Sequence, residues 1–282
     1  MVSSPEKRSV VCAGMVVADV VVFPFAGLPD PGTLKLVERT ELHVGGCAAS
    51  TAITLAQLGV ETEIVACVGE DEFGHFLSGT LARSGVNISG LVRSPNLVTS
   101  TTVVLVAANG ERSFLHAIGA NVGLGPELFP PPLLQRCQIL HFGAALLLPS
   151  LDGYPMAAVL AAARTAGAVT SVDTVWDPSG GWYATLAPCL SQLDILMASE
   201  REAAALAGCA DPDGAADFLL GCGVRWVTIK LGGRGCLLAS SSERHRLPAF
   251  DVPVVDTTGA GDAFAAGFLA GRAAGCDLRV VS

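Results

Sequence analysis

The later part of the chain alternates short apolar runs with segments of helical length. From residue 138 onward, the pattern predicts strands at 138–142, 169–173 and 194–198, separated by helices at 154–166 and 183–190. Strands and helices that alternate at these lengths are typical of βαβ units, whose strands lie parallel in one sheet. The chain is therefore predicted to have an α/β fold.

The first part of the chain contains two kinds of strand. Residues 9–17 form a continuous apolar run, which is typical of a strand buried on both faces. Segments 33–44, 101–107 and 112–115 alternate apolar and polar residues, and an Asn109-Gly110 turn joins the last two. Because alternation is expected of strands with one exposed face, these segments predict a small sheet apart from the main one.

A glycine-containing turn runs directly into the last apolar helix of the sequence. It reads Asp-Thr-Thr-Gly-Ala-Gly-Asp from Asp256 to Asp262. The first amides of a helix lack partners within it and, with the helix dipole, form an anion site that the small residues Gly259, Ala260 and Gly261 leave open. Asp262 is then placed to take a proton from a group that attacks a bound phosphate. A tight turn with an acidic residue in the first helical turn is the alternative.

The string from Asp256 to Asp262, followed by a helix of small residues, resembles the C-terminal signature of the ribokinase-like (PfkB) carbohydrate kinases. The resemblance covers essentially the whole chain. It implies one three-layer α/β/α ribokinase-like domain over residues 1–282, with a small β-sheet lid formed near 16–45 and 98–119. Relatives normally continue with a helix that completes the adenine pocket and a monovalent-cation site, so this C-terminal element is expected to be missing here.

The resemblance also implies an activity. The expected reaction is ATP-dependent transfer of the γ-phosphate to a hydroxyl of a small carbohydrate such as ribose or fructose, which makes the protein a phosphotransferase with an alcohol acceptor. Asp262 is then the catalytic base, the amides of Gly259, Ala260 and Gly261 form the anion hole, and Mg²⁺ bridges the phosphates. A lid excludes the water that would otherwise compete as the nucleophile.

Five residues are expected, by the same resemblance, to bind the sugar: Asp19, Gly45, Gly46, Ser50 and Asn121. A carboxylate such as that of Asp19 accepts two hydrogen bonds and suits a pair of hydroxyls. Ser50 stands where the family usually has Asn, and a hydroxyl lacks the paired donor and acceptor of an amide. This departure bears on the identity of the acceptor rather than on the fold.

Further residues are expected to hold the nucleotide and metal ions. The nucleotide set is Lys230, Gly232, Gly235, Thr257 and Ser199, of which Ser199 replaces an Asn of the family. Glu202 is expected to hold Mg²⁺ through water, and Asp256 and Thr258 are candidates for a monovalent cation such as K⁺. Taken alone, Lys230 is interpreted as a solvated lysine and Glu202 as an acid favoured in a first helical turn.

Two other functions are weighed against the sugar kinase. A nucleoside kinase of the same fold needs an apolar or aromatic slot for the base, and the lid segments contain few aromatic residues, namely Phe23, Phe25 and Phe114. A non-catalytic ligand-binding relative is favoured by Ser50 and Ser199 and opposed by the intact Asp262. Turnover of ATP in the presence of sugars distinguishes these functions.

The composition of the chain limits the kinds of partner that it is expected to bind. The formal net charge is −9 and lysine occurs only at Lys7, Lys35 and Lys230, so no basic surface for nucleic acid is expected. The nine cysteines are scattered singly, as expected of reduced thiols in a cytoplasmic protein. No apolar run approaches the roughly 18 residues of a membrane span. The edge of the lid sheet is a possible site for a homodimer contact.

Overall fold

The computed structural model describes residues 9–254 and 256–276. Within these ranges the strands are β1 (Ser9–Gly14), β2 (Val17–Phe23), β3 (Arg39–Gly45), β4 (Thr62–Gly69), β5 (Asn87–Ser94), β6 (Thr101–Val106), β7 (Arg112–Ala117), β8 (Cys137–Ala145), β9 (Val169–Thr174), β10 (Ile195–Ser199), β11 (Trp226–Lys230), β12 (Cys236–Ala239) and β13 (Arg244–Leu247). The helices are α1 (Cys47–Gln57), α2 (Glu72–Arg83), α3 (Pro131–Arg136), α4 (Tyr154–Thr165), α5 (Trp182–Leu190), α6 (Glu200–Ala207), α7 (Pro212–Gly221) and α8 (Ala260–Ala273). None of these helices has the length and apolar character needed to cross a bilayer.

The central sheet has nine strands in the described part of the chain, in the order β13-β12-β11-β10-β9-β8-β1-β4-β5. From β11 to β5 every neighbouring pair is parallel, whereas β12 and β13 are antiparallel and form one edge. Every residue of β1 and of β4 is buried, as expected of continuous apolar strands. The predicted α/β fold with a parallel sheet is confirmed.

Helices cover both faces of the central sheet. On one face, α4, α5, α6 and α7 enclose an apolar cluster that includes Phe142 and Leu160. On the other face, α1, α2 and α8 pack around Leu55, Ile64 and Phe268. These five side chains are buried, and burying each contributes roughly 1.5–3 kcal/mol. The result is the three-layer α/β/α arrangement that the resemblance implies.

A separate sheet of four strands, in the order β3-β2-β6-β7, forms the lid. β2 pairs in parallel with β6, while the β2–β3 and β6–β7 pairs are antiparallel. The predicted strand at 9–17 is in fact two strands, because the chain leaves the central sheet after Gly14 and enters the lid at Val17. Gly14 has a φ of 139° and lies against the carbonyl of Gly143, where no side chain fits.

Candidate active site

Helix α8 begins at a turn whose polar groups bond to one another. Gly259 precedes the helix with a φ of 73°, a left-handed conformation that favours glycine. The amide and the hydroxyl of Thr258 both donate to Asp256 Oδ1, at 2.8 Å each. The turn is therefore held in one shape before any ligand arrives.

The three amides predicted to form an anion hole are not equally open. The amide of Ala260 donates to the carbonyl of Thr257 at 3.1 Å, so this amide is already used within the turn. The amides of Gly259 and Gly261 have no acceptor within residues 9–254 and 256–276. Of the three predicted amides, those of Gly259 and Gly261 are open to an anion, whereas that of Ala260 is bonded within the turn.

Asp262 lies in the first turn of α8 and faces the first turn of α1. Its carboxylate lies near the thiol of Cys47 and the hydroxyl of Ser50, and its backbone carbonyl lies 3.5 Å from the hydroxyl of Thr51. Burial raises the pKa of Asp262, although these two groups and the charge of Lys230 act in the opposite direction. The carboxylate remains partly exposed.

Lys230 places a positive charge under the start of α8. Its Nζ lies 2.7 Å from both carboxylate oxygens of Asp173, whose side chain is only 6% exposed. A Cβ on Gly261 would lie 3.3 Å from the same Nζ, so the ammonium reaches the anion turn itself. Burial raises the pKa of Asp173 to about 6 in spite of the adjacent Lys230. In the sequence, Asp173 is simply the last residue of the strand predicted at 169–173.

Ser199 and Glu202 form a capping box at the start of α6. The hydroxyl of Ser199 accepts from the amide of Glu202, and Glu202 Oε2 accepts from the amide of Ser199 at 2.8 Å. The same oxygen also accepts from the hydroxyl of Thr174 at 3.1 Å. Glu202 therefore stabilises the start of α6. This structural role is the alternative to metal binding.

A cleft of about 440 Å³ lies between the inner face of the lid and the turn before α8. The turn contributes Asp256, Thr258 and Gly259, and α1 contributes Ser50. Asp262 does not line the cleft itself but lies near Ser50, which does. The cleft is therefore bounded by the predicted sugar-binding and phosphate-binding segments together.

One row of polar residues crosses the whole lid on its inner face. The strand register places His43, Asp19, Thr102 and His116 side by side on β3, β2, β6 and β7. Thr102 is the neighbour of Asp19 in the strand register, and its Oγ1 lies 3.0 Å from His116 Nδ1. The carboxylate of Asp19 also lies directly over Gly45, where a Cβ would overlap it. We call these four residues the polar row.

Two further rows of the inner face are mostly apolar. The next row outward contains Glu41, Val21, Val104 and Phe114, and the outermost contains Arg39, Phe23, Val106 and Arg112. Rows two residues apart along a strand are separated by about 7 Å. The guanidinium of Arg39 lies 5.0 Å from the centre of the Phe23 ring. The mouth of the cleft is therefore more apolar and aromatic than its inner end.

Arg112 connects the lid to the turn before α8. Its Nη2 donates to Asp256 Oδ2 at 2.6 Å. The amide of Thr258 and the guanidinium of Arg112 together lower the pKa of Asp256 to about 2. Both oxygens of Asp256 thus already accept hydrogen bonds, and Arg112 supplies a positive charge beside this carboxylate.

Comparison with known proteins decides the family. The model of the pfkB family carbohydrate kinases matches residues 7–280. The chain belongs to this family. A fructokinase from Klebsiella pneumoniae is 33% identical over 238 residues, which cover 82% of this chain and 77% of that protein. An aminoimidazole riboside kinase from Salmonella typhimurium is 30% identical over 235 residues, which cover 80% of this chain and 72% of that one.

A solved structure extends the pfkB resemblance to the fold. A putative ribokinase II from E. coli, in complex with ATP and Mg²⁺, superposes with a TM-score of 0.82 at 26% sequence identity. The match covers 96% of this chain and 87% of that one. The family resemblance read from the sequence is confirmed.

Two residues predicted to contact the sugar in this pfkB chain lie against its own backbone. Asn121 is fully buried, and its Oδ1 and Nδ2 pair with the amide and the carbonyl of Val16 at 3.2 and 3.3 Å. Asn121 therefore fixes the passage from β1 to β2 and offers no side-chain atom to the cleft. Gly46, with a φ of 90°, packs against the carbonyl of Met15 and lets α1 start close to the sheet.

The predicted nucleotide residues of the family occupy different surroundings. Gly232 has open space beside it and a φ of 61°, so a ligand can approach it. Gly235 lies against the carbonyl of Leu247, which makes it necessary for the turn into β12. Thr257 is exposed in the turn before α8. Of these residues, only Gly232 and Thr257 present free surface to a nucleotide.

Three residues of the site carry no strong signal in the sequence. Cys47 follows the glycine pair at the start of α1, and only the packing of α1 on α8 brings it to Asp262. Thr102 lies on a lid strand whose register cannot be read from one sequence. Asp173 ends a strand, and its pairing with Lys230 depends on the order of strands in the sheet.

Proposed function

We propose that this chain is an ATP-dependent sugar kinase in which Asp262 removes the proton of the acceptor hydroxyl. The acceptor oxygen forms a bond to the γ-phosphorus, the bond from this phosphorus to the bridging oxygen breaks, and ADP leaves. The observation that carries the proposal is the position of Asp262 in the first turn of α8, next to the open amides of Gly259 and Gly261 and near Lys230. The kinase names of the similar proteins support the same reaction.

The phosphate being transferred would be stabilised by fixed charges and dipoles. The amides of Gly259 and Gly261 and the dipole of α8 point toward the place where negative charge develops. Lys230 adds a full positive charge from below. These groups are already held in place, so they need little rearrangement as the reaction proceeds.

The acceptor would bind at the inner end of the cleft. Asp19 would accept hydrogen bonds from sugar hydroxyls, with Thr102 beside it in the strand register. Gly45 and Gly46 keep the backbone close to the sugar. Ser50 lines the cleft and lies near Asp262, so it would connect acceptor and base.

Mg²⁺ fits the oxygen ligands near the phosphate site. Glu202 Oε2 is occupied by the amide of Ser199 and the hydroxyl of Thr174, while Oε1 has no hydrogen bond within the described residues and is available to a metal-bound water. Bound there, Mg²⁺ would neutralise phosphate charge. Asp256 and Thr258 do not fit K⁺, because Arg112 already supplies the positive charge at Asp256.

The test is turnover of ATP by the wild type and by Asp262→Asn with a panel of pentoses, hexoses and nucleosides. We expect sugar-dependent ADP release by the wild type and a loss of about 10²–10⁴-fold in kcat for the variant, with sugar binding retained in a thermal-shift assay. Asp251→Asn, in an exposed loop, is the matched control. Wild-type turnover by Asp262→Asn would remove the proposed base. Binding of sugars without any turnover by the wild type would favour a non-catalytic binding protein.

A second acceptor class is favoured by the outer rows of the lid. A monosaccharide held by Asp19 does not reach rows that begin about 7 Å farther out, and those rows present Phe114, Val104 and Phe23. A riboside with a planar base would cover them. A kcat/KM higher for nucleosides than for free sugars would assign this class, and the opposite ratio would exclude it.

An apolar row on the outer face of the lid supports the proposal that the chain forms a homodimer. The register places Leu42, Val20, Val103 and Leu115 in one apolar row on this face, and Leu115 is 60% exposed. A second copy of the chain would cover this row. Sedimentation of the wild type as a dimer and of Leu115→Asp as a monomer would support the contact, and a monomeric wild type would exclude it.

A further inference from the structure

A cavity of about 480 Å³ lies at the amino edge of the central sheet, opposite to the proposed active site. It is lined by Val169, Ile195 and Trp226, which are the first residues of β9, β10 and β11, and by the last turn of α8. Helix α8 has 14 residues and is therefore about 20 Å long. Since the proposed phosphate site lies at the start of α8, the cavity at its end is a separate place on the molecule.

Three arginines converge on this cavity from separate elements of the fold. Arg164 lies in the last turn of α4, Arg272 in the last turn of α8, and Arg225 directly before β11. Within the described part of the chain, Asp194 is the one carboxylate that lines the cavity. The whole chain has a formal net charge of −9, so this surface differs in sign from the average surface. We call the three residues the arginine cluster.

Most donors of the arginine cluster lack an acceptor in the described residues. Asp194 Oδ1 lies 3.0 Å from Arg225 Nη1, while its other oxygen accepts two hydrogen bonds from β9. Arg164 Nη1 donates to the carbonyl of Ser191 at 2.7 Å. Arg272 has no side-chain partner among the residues that the structure describes. Because a guanidinium carries five N–H donors, each arginine has several donors left for a ligand.

The ends of the two helices account for only part of this positive charge. The C-terminal ends of α4 and α8 each carry about half a negative charge, which favours an arginine in the last turn. Together with Asp194, they offset about two of the three positive charges and leave roughly one. A helix end also gives no reason for Arg225, which belongs to no helix. The remaining positive charge therefore favours an anionic ligand.

We propose that the arginine cluster binds a small metabolite that carries a phosphate group, at a site separate from the active site. A guanidinium presents pairs of parallel N–H donors, which match the spacing of phosphate oxygens. The cavity lies within the range of about 300–1,000 Å³ that is usual for small-molecule sites, so it has room for a sugar or a base beside the phosphate. Trp226 offers an aromatic surface to that second group. The inference goes beyond the proposed kinase reaction and does not depend on which residue is its base.

The test uses Cys276, an exposed thiol that lines the cavity. Its alkylation by iodoacetamide is measured by peptide mass spectrometry in the full chain, without ATP or Mg²⁺, at increasing concentrations of fructose 6-phosphate or adenosine monophosphate. A ligand beside this thiol should slow its alkylation roughly threefold or more, because it limits access and its charge disfavours the thiolate. Cys209, which does not line the cavity, should react at an unchanged rate. The probe that protects at the lower concentration assigns the ligand as a sugar phosphate or a nucleotide, and no protection by either probe would overturn the proposal.

Substitutions test whether the arginine cluster holds the ligand. In Arg272→Gln the concentration for half-maximal protection should rise about 10–100-fold, since a hydrogen bond to a charged group is lost. Arg225→Gln should have an effect in the same direction. Arg83→Gln is the matched control, because Arg83 also lies in the last turn of a helix, α2, but does not line the cavity.

Unchanged protection of Cys276 in both Arg272→Gln and Arg225→Gln would overturn the proposal, as would an equal loss of protection in Arg83→Gln. Sulfate is the comparison anion for the wild type. If sulfate protects Cys276 at the same concentration as the phosphate esters, the cavity attracts any anion, and the assignment to a phosphate-bearing metabolite is wrong. The variants are first compared with the wild type by thermal unfolding without ligand. Arg272→Gln should unfold at the wild-type temperature, because Arg272 has no described side-chain partner to lose.

Discussion

Lys230 and Asp173 meet across an intervening strand. The Nζ of Lys230 on β11 lies 2.7 Å from both oxygens of Asp173 on β9, and β10 separates the two strands in the sheet. Both residues stand at the carboxyl edge of the sheet, where ligands bind in open α/β folds. Their side chains are 18% and 6% exposed. The pair therefore holds a mostly buried cation under the proposed phosphate site.

Breaking this pair should cost both stability and activity. Lys230→Met leaves Asp173 buried without its cation, and removing one partner of a buried ion pair typically costs about 3–5 kcal/mol. The free energy of unfolding, measured with urea at pH 7.5, should fall accordingly, and kcat should fall because the phosphate loses a positive charge.

The matched control for that prediction is Lys35→Met. Lys35 is exposed and, among the residues that the structure describes, donates only to the carbonyls of Ala26 and Gly27, so its loss should change stability by less than about 1 kcal/mol. Equal stabilities for Lys230→Met and Lys35→Met would contradict the view that the Lys230–Asp173 pair is a buried, mutually dependent unit.

The polar row predicts a specific effect at Thr102. Thr102→Val keeps the side-chain shape but removes the hydroxyl that contacts His116 and adjoins Asp19 in the polar row. A hydrogen bond to a charged group contributes about 1.5–3 kcal/mol, so KM for the acceptor should rise roughly 10–100-fold. KM for ATP should not change. Thr101→Val, on the same strand but the opposite face, is the control, and an equal effect of both variants would show that the polar row does not hold the acceptor.

Glu202 offers a way to separate capping from metal binding. Ser199→Ala removes the hydroxyl that accepts from the amide of Glu202, and loss of an N-cap typically costs about 1 kcal/mol. Glu202→Gln keeps an oxygen for the cap but removes the charge. If Glu202 holds Mg²⁺ through water, Glu202→Gln should raise the Mg²⁺ concentration needed for half-maximal turnover while thermal stability stays close to that of the wild type. An unchanged Mg²⁺ dependence would limit Glu202 to the cap.

Much of the fold is predictable because it depends on local patterns. The apolar runs locate β8, β9 and β10. The motif at Asp262 locates α8 in the same way. Each of these signals lies within one segment of sequence, so no knowledge of the tertiary arrangement is needed.

The contacts that shape the site depend on relationships between segments. The break between β1 and β2 depends on Gly143, which lies far along the chain from Gly14. Asn121 looks like a sugar ligand in its motif, yet it bonds to Val16 because the passage from β1 to β2 runs past it. The amide of Ala260 is not open to an anion, because it donates to the carbonyl of Thr257 within the turn. Strand registers and contacts between distant segments of this kind cannot be read from a single sequence.

Asp152, which lies outside the proposed site, should make the free energy of unfolding depend on pH. Its carboxylate accepts from the amides of Leu146 and Leu148 at 3.0 and 2.7 Å, and burial raises its pKa to about 6 in spite of these bonds. The unfolded value is about 3.9, so between about pH 4 and 6 the folded state binds more protons, and this contribution to stability declines as the pH rises. Asp152→Asn has no such titration. The difference in unfolding free energy, wild type minus variant, should therefore fall from pH 4.5 to pH 7, whereas the exposed Asp251→Asn control should follow the wild type at every pH. A constant difference between the wild type and Asp152→Asn across this range would mean that Asp152 has the same pKa in the folded and unfolded chains.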